Sequence, residues 1–499
     1  MIVLSCYMYM NKYNKIHHKK SRKRKDKYKN ASCNNKMTFQ ECEMAILRAA
    51  VDENEHAMGR KIVNNEDVKK ILKIVENFIV DKKLICYGGT AINNIIPKEA
   101  QFYNKETEIP DYDFFSKNAL EDSKELADIY YNNGYAEVEA KAGMHVGTYK
   151  VFVNFIPIAD ITQLDPKIYD SIQKETIIIA GIHYSPPNYL RMSMYLELSR
   201  PSGDISRWEK VFKRLTLLNK YYPMDVTECS QVDFQRKLDN NMDKSETIYI
   251  VTRDALINQG VVFFGGYSFG LYSRYTKSSK YILQDIPDFD VLSETPDTTA
   301  MIVKEQLTQN NIKKIKIIKH DPIGEIIPER YEVRVGLDTI AIVYKPIACH
   351  SYNKITINNK EVNIATIDTI LSFYLSMIYV DIDLNYNRLL CMASFLFNIQ
   401  EQNRLNQQGL LKRFTMSCYG KQLTLEDIRS EKANKYKEFK DKKITGKEYD
   451  IWFLKYNPSE KKEKKSNNKT KKNVSSSSSP AEKPKPTILE ILRAAAKTH

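Results

Sequence analysis

No apolar run is long enough to cross a bilayer: the longest stretches, such as Ile370–Val380, fall well short of the roughly 20 residues required. The apolar opening Met1–Met10 is followed rather than preceded by its charges, the wrong order for a secretory signal. No membrane partner is therefore expected. Eight cysteines are present (Cys6, Cys33, Cys42, Cys86, Cys229, Cys349, Cys391, Cys418), but no Cys-x-x-Cys pair. That argues against a zinc ribbon or a disulfide framework and fits a reduced intracellular setting. The eight histidines show no metal-ligand spacing, and His350 beside Cys349 reads as a packed or surface residue. The 32 tyrosines could stack bases, but they are also ordinary strand residues, so none is singled out.

What is present is a 499-residue chain with 42% hydrophobic residues, enough for two to four domains with real cores. The formal charge of +14 sits at the ends. Residues 11–30 carry a net +9 and residues 455–486 a net +7, which leaves the body at −2. Both ends read as solvated, disordered tails, and a polycation of this kind attracts nucleic acid in a salt-dependent way.

The chain is organised around Leu84-Ile-Cys-Tyr-Gly-Gly-Thr90 and Ile109-Pro-Asp-Tyr-Asp-Phe-Phe-Ser116. The first reads as a buried strand entering a glycine turn. The second places Asp111 and Asp113 two residues apart, hence on one face of a strand. Two like charges in an apolar strand are costly to bury without a cation between them, and a divalent metal with oxygen ligands is the simplest remedy.

Around this centre, Thr38-Phe-Gln-Glu41 has capping-box spacing and opens a helix over Cys42–Val51. A second helix covers Val68–Ile79, and a third Glu121–Asn132. Tyr135–Ala142 and Thr148–Ile161 read as two strands joined at Gly143–Gly147, with Asp160 ending the second. Asn188–Ser199 and Arg207–Tyr221 read as helices, and Tyr222-Pro223 as a domain boundary. The pattern then returns. Gly265 follows Gly88 by 177 residues, Asp288 follows Asp111 by 177, and Ser293 follows Ser116 by 177, which indicates an internal duplication. The third element repeats with an altered interval. Pro157-Ile-Ala-Asp160 matches Pro346-Ile-Ala-Cys349 at an offset of 189, so about twelve residues are expected to be inserted in the second copy.

Three carboxylates on adjacent strands, Asp111, Asp113 and Asp160, can hold two metal ions for phosphoryl or nucleotidyl transfer. Gly88 and Gly89 let the backbone approach phosphates, and Thr90 adds a hydroxyl donor.

These residues resemble the nucleotidyltransferase superfamily of DNA polymerase β. The fuller strings, Tyr-Gly-Gly-Thr-Ala-Ile-Asn, Pro-Asp-Tyr-Asp-Phe-Phe-Ser and Asp204-Ile-Ser-Arg-Trp-Glu-Lys-Val-Phe-Lys-Arg214, resemble viral poly(A) polymerase catalytic subunits of the poxvirus and giant-virus type. The resemblance covers roughly residues 40–450. One departure is the long interval between Gly89 and Asp111. The resemblance implies addition of AMP from ATP to an RNA 3′ end without a template, with release of pyrophosphate. Asp111, Asp113 and Asp160 would be ligands of two Mg²⁺ (or Mn²⁺) ions. Gly88, Gly89 and Thr90 would hold the triphosphate, and Arg207, Lys210, Lys213 and Arg214 are phosphate candidates. It also implies the host cytoplasm as the setting, and either a homodimer or a separate processivity subunit. The second copy keeps Asp288 and Asp290, but Cys349 stands where a carboxylate is expected and Tyr267 where the first copy has Thr90; a thiol is a poor partner for Mg²⁺.

The expected architecture is α+β, with two tandem nucleotidyltransferase-like domains, the first active and the second degenerate. The boundaries expected are a basic tail at 1–36, a catalytic domain at 37–223, a degenerate domain at 224–454 and a Lys/Ser-rich tail at 455–499 with a short terminal helix. Two other functions fit the same residues. One is a uridylyl- or CCA-adding transferase; the other is a non-catalytic RNA-binding subunit.

Overall fold

The computed structural model describes residues 36–224, 244–276, 288–380 and 386–460, with residues 33, 34, 229, 232, 234 and 236 besides. The expected basic tails, and the terminal helix from Thr487, lie largely or wholly outside the described residues. The chain divides into two units. The smaller comprises residues 1–70 and 103–110. In it, Thr38 and Glu41 form a capping box that starts helix Phe39–Val63, longer than the span expected from the sequence.

The larger unit, residues 71–102 and from 111 on, is α+β and contains two eight-stranded mixed sheets. The strands of the first are β1 (Ile85–Cys86), β2 (Tyr112–Ser116), β3 (Val138–Ala142), β4 (Thr148–Val153), β5 (Ile156–Gln163), β6 (Ile177–Ile179) and β7 (Ile182–Tyr184). Those of the second are β8 (Val262–Phe263), β9 (Phe289–Leu292), β10 (Ile315–His320), β11 (Arg330–Val335), β12 (Asp338–Tyr344), β13 (His350–Ile357), β14 (Lys360–Ala365) and β15 (Cys418–Tyr419). A last strand, β16 (Lys455–Tyr456), returns to the first sheet. The orders are β16-β3-β4-β5-β2-β1-β7-β6 and β10-β11-β12-β9-β8-β14-β13-β15. In each sheet two neighbouring pairs are parallel, β2 with β5 and β1 with β7, then β9 with β12 and β8 with β14.

The duplication is thus one of topology. Ile85 pairs with Phe115 in the first sheet, and Val262 with Leu292, both 177 residues on, in the second. Helices Ala119–Asn132 and Pro296–Gln309 keep the same offset. So do the turns before them: Ser116 Oγ accepts from the Asn118 amide at 2.8 Å, and Ser293 Oγ from the Thr295 amide at 3.2 Å.

Three sequence expectations change. Thr148–Ile161 is two antiparallel strands, because Asn154 and Phe155 adopt left-handed conformations (φ 49° and 66°) and turn the chain back. The offset beyond β3 is 182 rather than 189. β12 aligns on β9 so that Ile342 lies opposite Asp290, whereas Cys349 falls just before β13. The Pro-Ile-Ala match was a coincidence of composition, and Ile342 is the counterpart of Asp160. Finally, three disulfides join Cys33–Cys42, Cys229–Cys391 and Cys349–Cys418, against the expectation of none. Two of them link residues 162 and 69 positions apart, which are brought together by folding and carry no local signature.

The end of the described chain packs on the first sheet. Lys124 Nζ lies 2.8 Å from Asp450, Lys432 Nζ donates to the Gly143 carbonyl at 2.6 Å, and Tyr456 OH donates to Asp128 at 2.7 Å.

Candidate active site

β1 carries the chain between β2 and β7 and releases it at Tyr87. Gly88 then begins helix Gly88–Ile95 at φ +70°, where a side chain is strained. A Cβ there would also sit 2.8 Å from Asp113 Oδ2. The turn is fixed to the Asp-x-Asp strand through backbone groups. The Tyr87 amide donates to the Asp113 carbonyl at 3.0 Å, and Thr90 Oγ1 donates to the Asp111 carbonyl at 2.6 Å. The single hydroxyl proton of Thr90 is therefore directed at the backbone and not outward. The Tyr87 ring stacks on Phe115 (3.9 Å between centroids), and its hydroxyl is 2.9 Å from Thr162 Oγ1 on β5.

Asp111 is exposed just before β2, and Asp113 is half-buried within it. Asp160 lies directly opposite Asp113 across the parallel β2–β5 pair. On its other side Asp160 faces Lys150, since β4 buries Tyr149, Val151 and Val153 and turns Lys150 to the opposite face. Lys150 Nζ is bonded to Asp160 Oδ2. Burial pushes the Asp113 carboxyl up to about 7, helped by the charges of Asp111 and Asp160 and opposed by Lys150 and Arg214. Although Asp111 keeps an exposed edge, partial loss of water around its carboxyl and the Asp160 charge likewise raise it, opposed by Lys150.

The remaining candidates separate. Arg214, on helix Trp208–Tyr221, leans over the Phe102 ring at 5.2 Å, and its charge reaches Asp113. Arg207 is 3.3 Å from Glu197, Lys213 is 2.6 Å from Glu209, and Lys210 is exposed. The sequence reading overlooked Lys150. Its alternation with buried neighbours in β4 placed it on the polar face, but only the β4–β5 register places it against Asp160.

Three carboxylates with no soft ligand suit a hard divalent cation such as Mg²⁺. Their side chains feel one another's charge without converging on one centre: among the described residues no group of three His, Cys, Asp or Glu side chains is arranged to hold a metal ion. No helix among the described residues is long and apolar enough to cross a membrane.

Comparison with known proteins bears directly on this stretch. Residues 73–204 match the family of poly(A) polymerase catalytic subunits. The match takes in the glycine turn, β2, β5 and all three aspartates. A candidate poly(A) polymerase catalytic subunit of African swine fever virus is 35% identical over 173 residues, covering 34% of this chain and 36% of the relative. One from Acanthamoeba polyphaga mimivirus is 30% identical over 224 residues, covering 42% of this chain and 36% of the relative. The aligned region thus spans about a third of the length of these curated relatives. The fold extends further than the sequence match. The crystal structure of the Megavirus polyadenylate synthase superposes with a TM-score of 0.72 at 21% identity, covering 89% of this chain and 92% of that one. The α+β fold with two mixed sheets is the fold of that protein.

Proposed function

We propose that the chain is a template-independent polynucleotide adenylyltransferase that adds AMP from ATP to RNA 3′ ends and releases pyrophosphate. One observation carries the reading. Asp113 and Asp160 stand opposite each other across β2 and β5, beside the Gly88 turn, within the residues that match the polymerase family.

Asp111, Asp113 and Asp160 would hold Mg²⁺ or Mn²⁺, which when bound supplies Lewis-acid activation of the primer hydroxyl and neutralises charge on the departing phosphates. The rest is done by the chain. The first-turn amides of helix Gly88–Ile95 have no intrahelical carbonyl to bond and meet the triphosphate at the positive end of the helix. Thr90 acts by positioning, since it ties that helix to Asp111. Arg214 contributes a guanidinium whose charge reaches Asp113 through space. Lys150 keeps Asp160 oriented toward β4 and is available to phosphate once that carboxylate is otherwise engaged. ATP and an RNA 3′ end are the substrates. The relatives are named catalytic subunits, so a second, separate subunit is part of the proposal.

The test is extension of a short RNA primer by the purified full chain with each nucleoside triphosphate in turn. Extension with ATP is expected, together with at least a hundredfold loss in Asp111→Asn, on the scale of about 10²–10³ for removing a group that stabilises transition-state charge. Extension with UTP but not ATP, or RNA binding without any extension, would replace the proposal with one of the other two functions.

A further inference from the structure

The second sheet repeats the paired carboxylates but not their surroundings. Asp288 and Asp290 stand 177 residues after Asp111 and Asp113, and both are more deeply buried, at 2% and 8% exposure. The position opposite Asp290 is Ile342, where the first sheet has Asp160. The residue across from Ile342 on β11 is Glu332, where the first sheet has Lys150. Glu332 turns to Arg334 at 2.6 Å and His320 at 2.9 Å and takes no part in the pair. Two buried carboxylates with no third ligand and no lysine across the strand would be an uncompensated pair of charges, which a fold does not tolerate.

Compensation comes from outside the duplicated stretch. Arg236 Nη2 is 2.7 Å from Asp288 Oδ2, and Nη1 is 2.9 Å from Asp290 Oδ1. Nη2 also donates to the Phe289 carbonyl between them at 3.2 Å. A planar guanidinium presents its donors as a fork, which suits two acceptors side by side better than an ammonium does. Burial works against the charge of Arg236, but Asp288 and Asp290 outweigh it and hold the guanidinium above its ordinary range. The glycine turn closes over the same pair. A Cβ on Gly265 would lie 2.4 Å from Asp290 Oδ2 and 2.6 Å from its Cβ, a closer approach than the 2.8 Å between a Cβ on Gly88 and Asp113. Two residues that precede Arg236 in the chain are anchored as well, Cys229 by its disulfide to Cys391 and the fully buried Phe234 by packing on Phe269 and Phe395.

We propose that the Arg236 guanidinium occupies the place of the cation in the second nucleotidyltransferase-like site, converting a metal pair into an internal ion pair that binds no divalent metal and fastens Arg236 to the second sheet. The inference rests on the proposed function only for the comparison with a working copy. It predicts that this site has become structural through gain of a protein cation as well as loss of a ligand.

The full-length chain titrated with Mn²⁺, bound ion being counted by the loss of the free-ion electron paramagnetic resonance signal, tests this. Asp111→Asn/Asp113→Asn should remove the Mn²⁺ bound by the native chain; failure there counts against the reading of the first site alone. Asp290→Asn, with Arg236 intact, should leave the Mn²⁺ count and primer extension unchanged. Loss of bound Mn²⁺ in Asp290→Asn would overturn the inference. In the Asp111→Asn/Asp113→Asn background, Arg236→Met should create about one new Mn²⁺ site, seen also as a rise in Tm on adding Mn²⁺. That gain should vanish when Asp290→Asn is added. A folded Arg236→Met chain that takes up no Mn²⁺, or one whose Mn²⁺ survives Asp290→Asn, would also overturn it. If Arg236→Met does not fold, the Asp290→Asn count decides by itself.

Discussion

Asp113 is the residue at which burial and charge meet most directly. Its carboxyl is pushed up to about 7, from an ordinary value near 3.8. Between those two pH values the unfolded chain has released the proton while the folded chain still holds it. Stability must therefore fall as pH rises through that window, and by a few kcal/mol at most. A divalent ion favours the ionised form and should flatten the trend. Urea denaturation at pH 5 and pH 8 with chelator present is expected to show lower stability at pH 8. Asp113→Asn should remove much of the difference, and adding Mg²⁺ at pH 8 should reduce it in the native chain. Equal pH dependence in native and Asp113→Asn chains would show that the strain lies elsewhere. Lys150 belongs to the same balance, as the positive charge nearest the triad on β4.

At the scale of elements, the two copies use one turn under different constraints. Gly88 needs both a left-handed backbone and the space in front of Asp113. Gly265 has an ordinary φ of −83° but an even tighter approach to Asp290. Alanine at position 88 should cost roughly 1–2 kcal/mol of backbone strain and displace Asp113, so that primer extension falls at least tenfold. Alanine at position 265 should lower Tm with kcat intact wherever the chain remains folded, because the carboxylate it displaces belongs to the Arg236 pair. The comparison is a Tm and a kcat for each variant. A Gly265→Ala chain that folds normally but has lost kcat would contradict the separation of roles.

For the whole molecule, the last described segment matters beyond its length. Helices Leu425–Asp441 and Lys447–Phe453 and strand β16 follow the second sheet in sequence but attach to the first. β16 pairs along β3 and covers an edge that would otherwise present unpaired backbone groups. A chain ending at residue 424 should therefore lose stability and aggregate, whereas one ending at residue 460 should keep the Tm of the full chain. Thermal unfolding and size-exclusion chromatography distinguish the two. Equal behaviour of both truncations would mean that the segment contributes nothing to the first sheet.

The sequence by itself determined the elements and their repetition. Alternation of period two, helical spacing, capping residues and the glycine pair are local properties. They survive as β2, helix Ala119–Asn132 and the 177-residue offset that runs from β1 through helix Pro296–Gln309. Asp111 and Asp113 could be placed side by side on that basis alone. What lies across from a residue was decided only by the tertiary structure. A shift in strand register exchanges every facing side chain, and register depends on how far each loop reaches before the strands pair. That is why a three-residue match pointed to Cys349 where pairing selects Ile342. It is also why Lys150 met Asp160, why cysteines 162 residues apart were joined, and why Arg236, outside the repeat altogether, came to sit between Asp288 and Asp290.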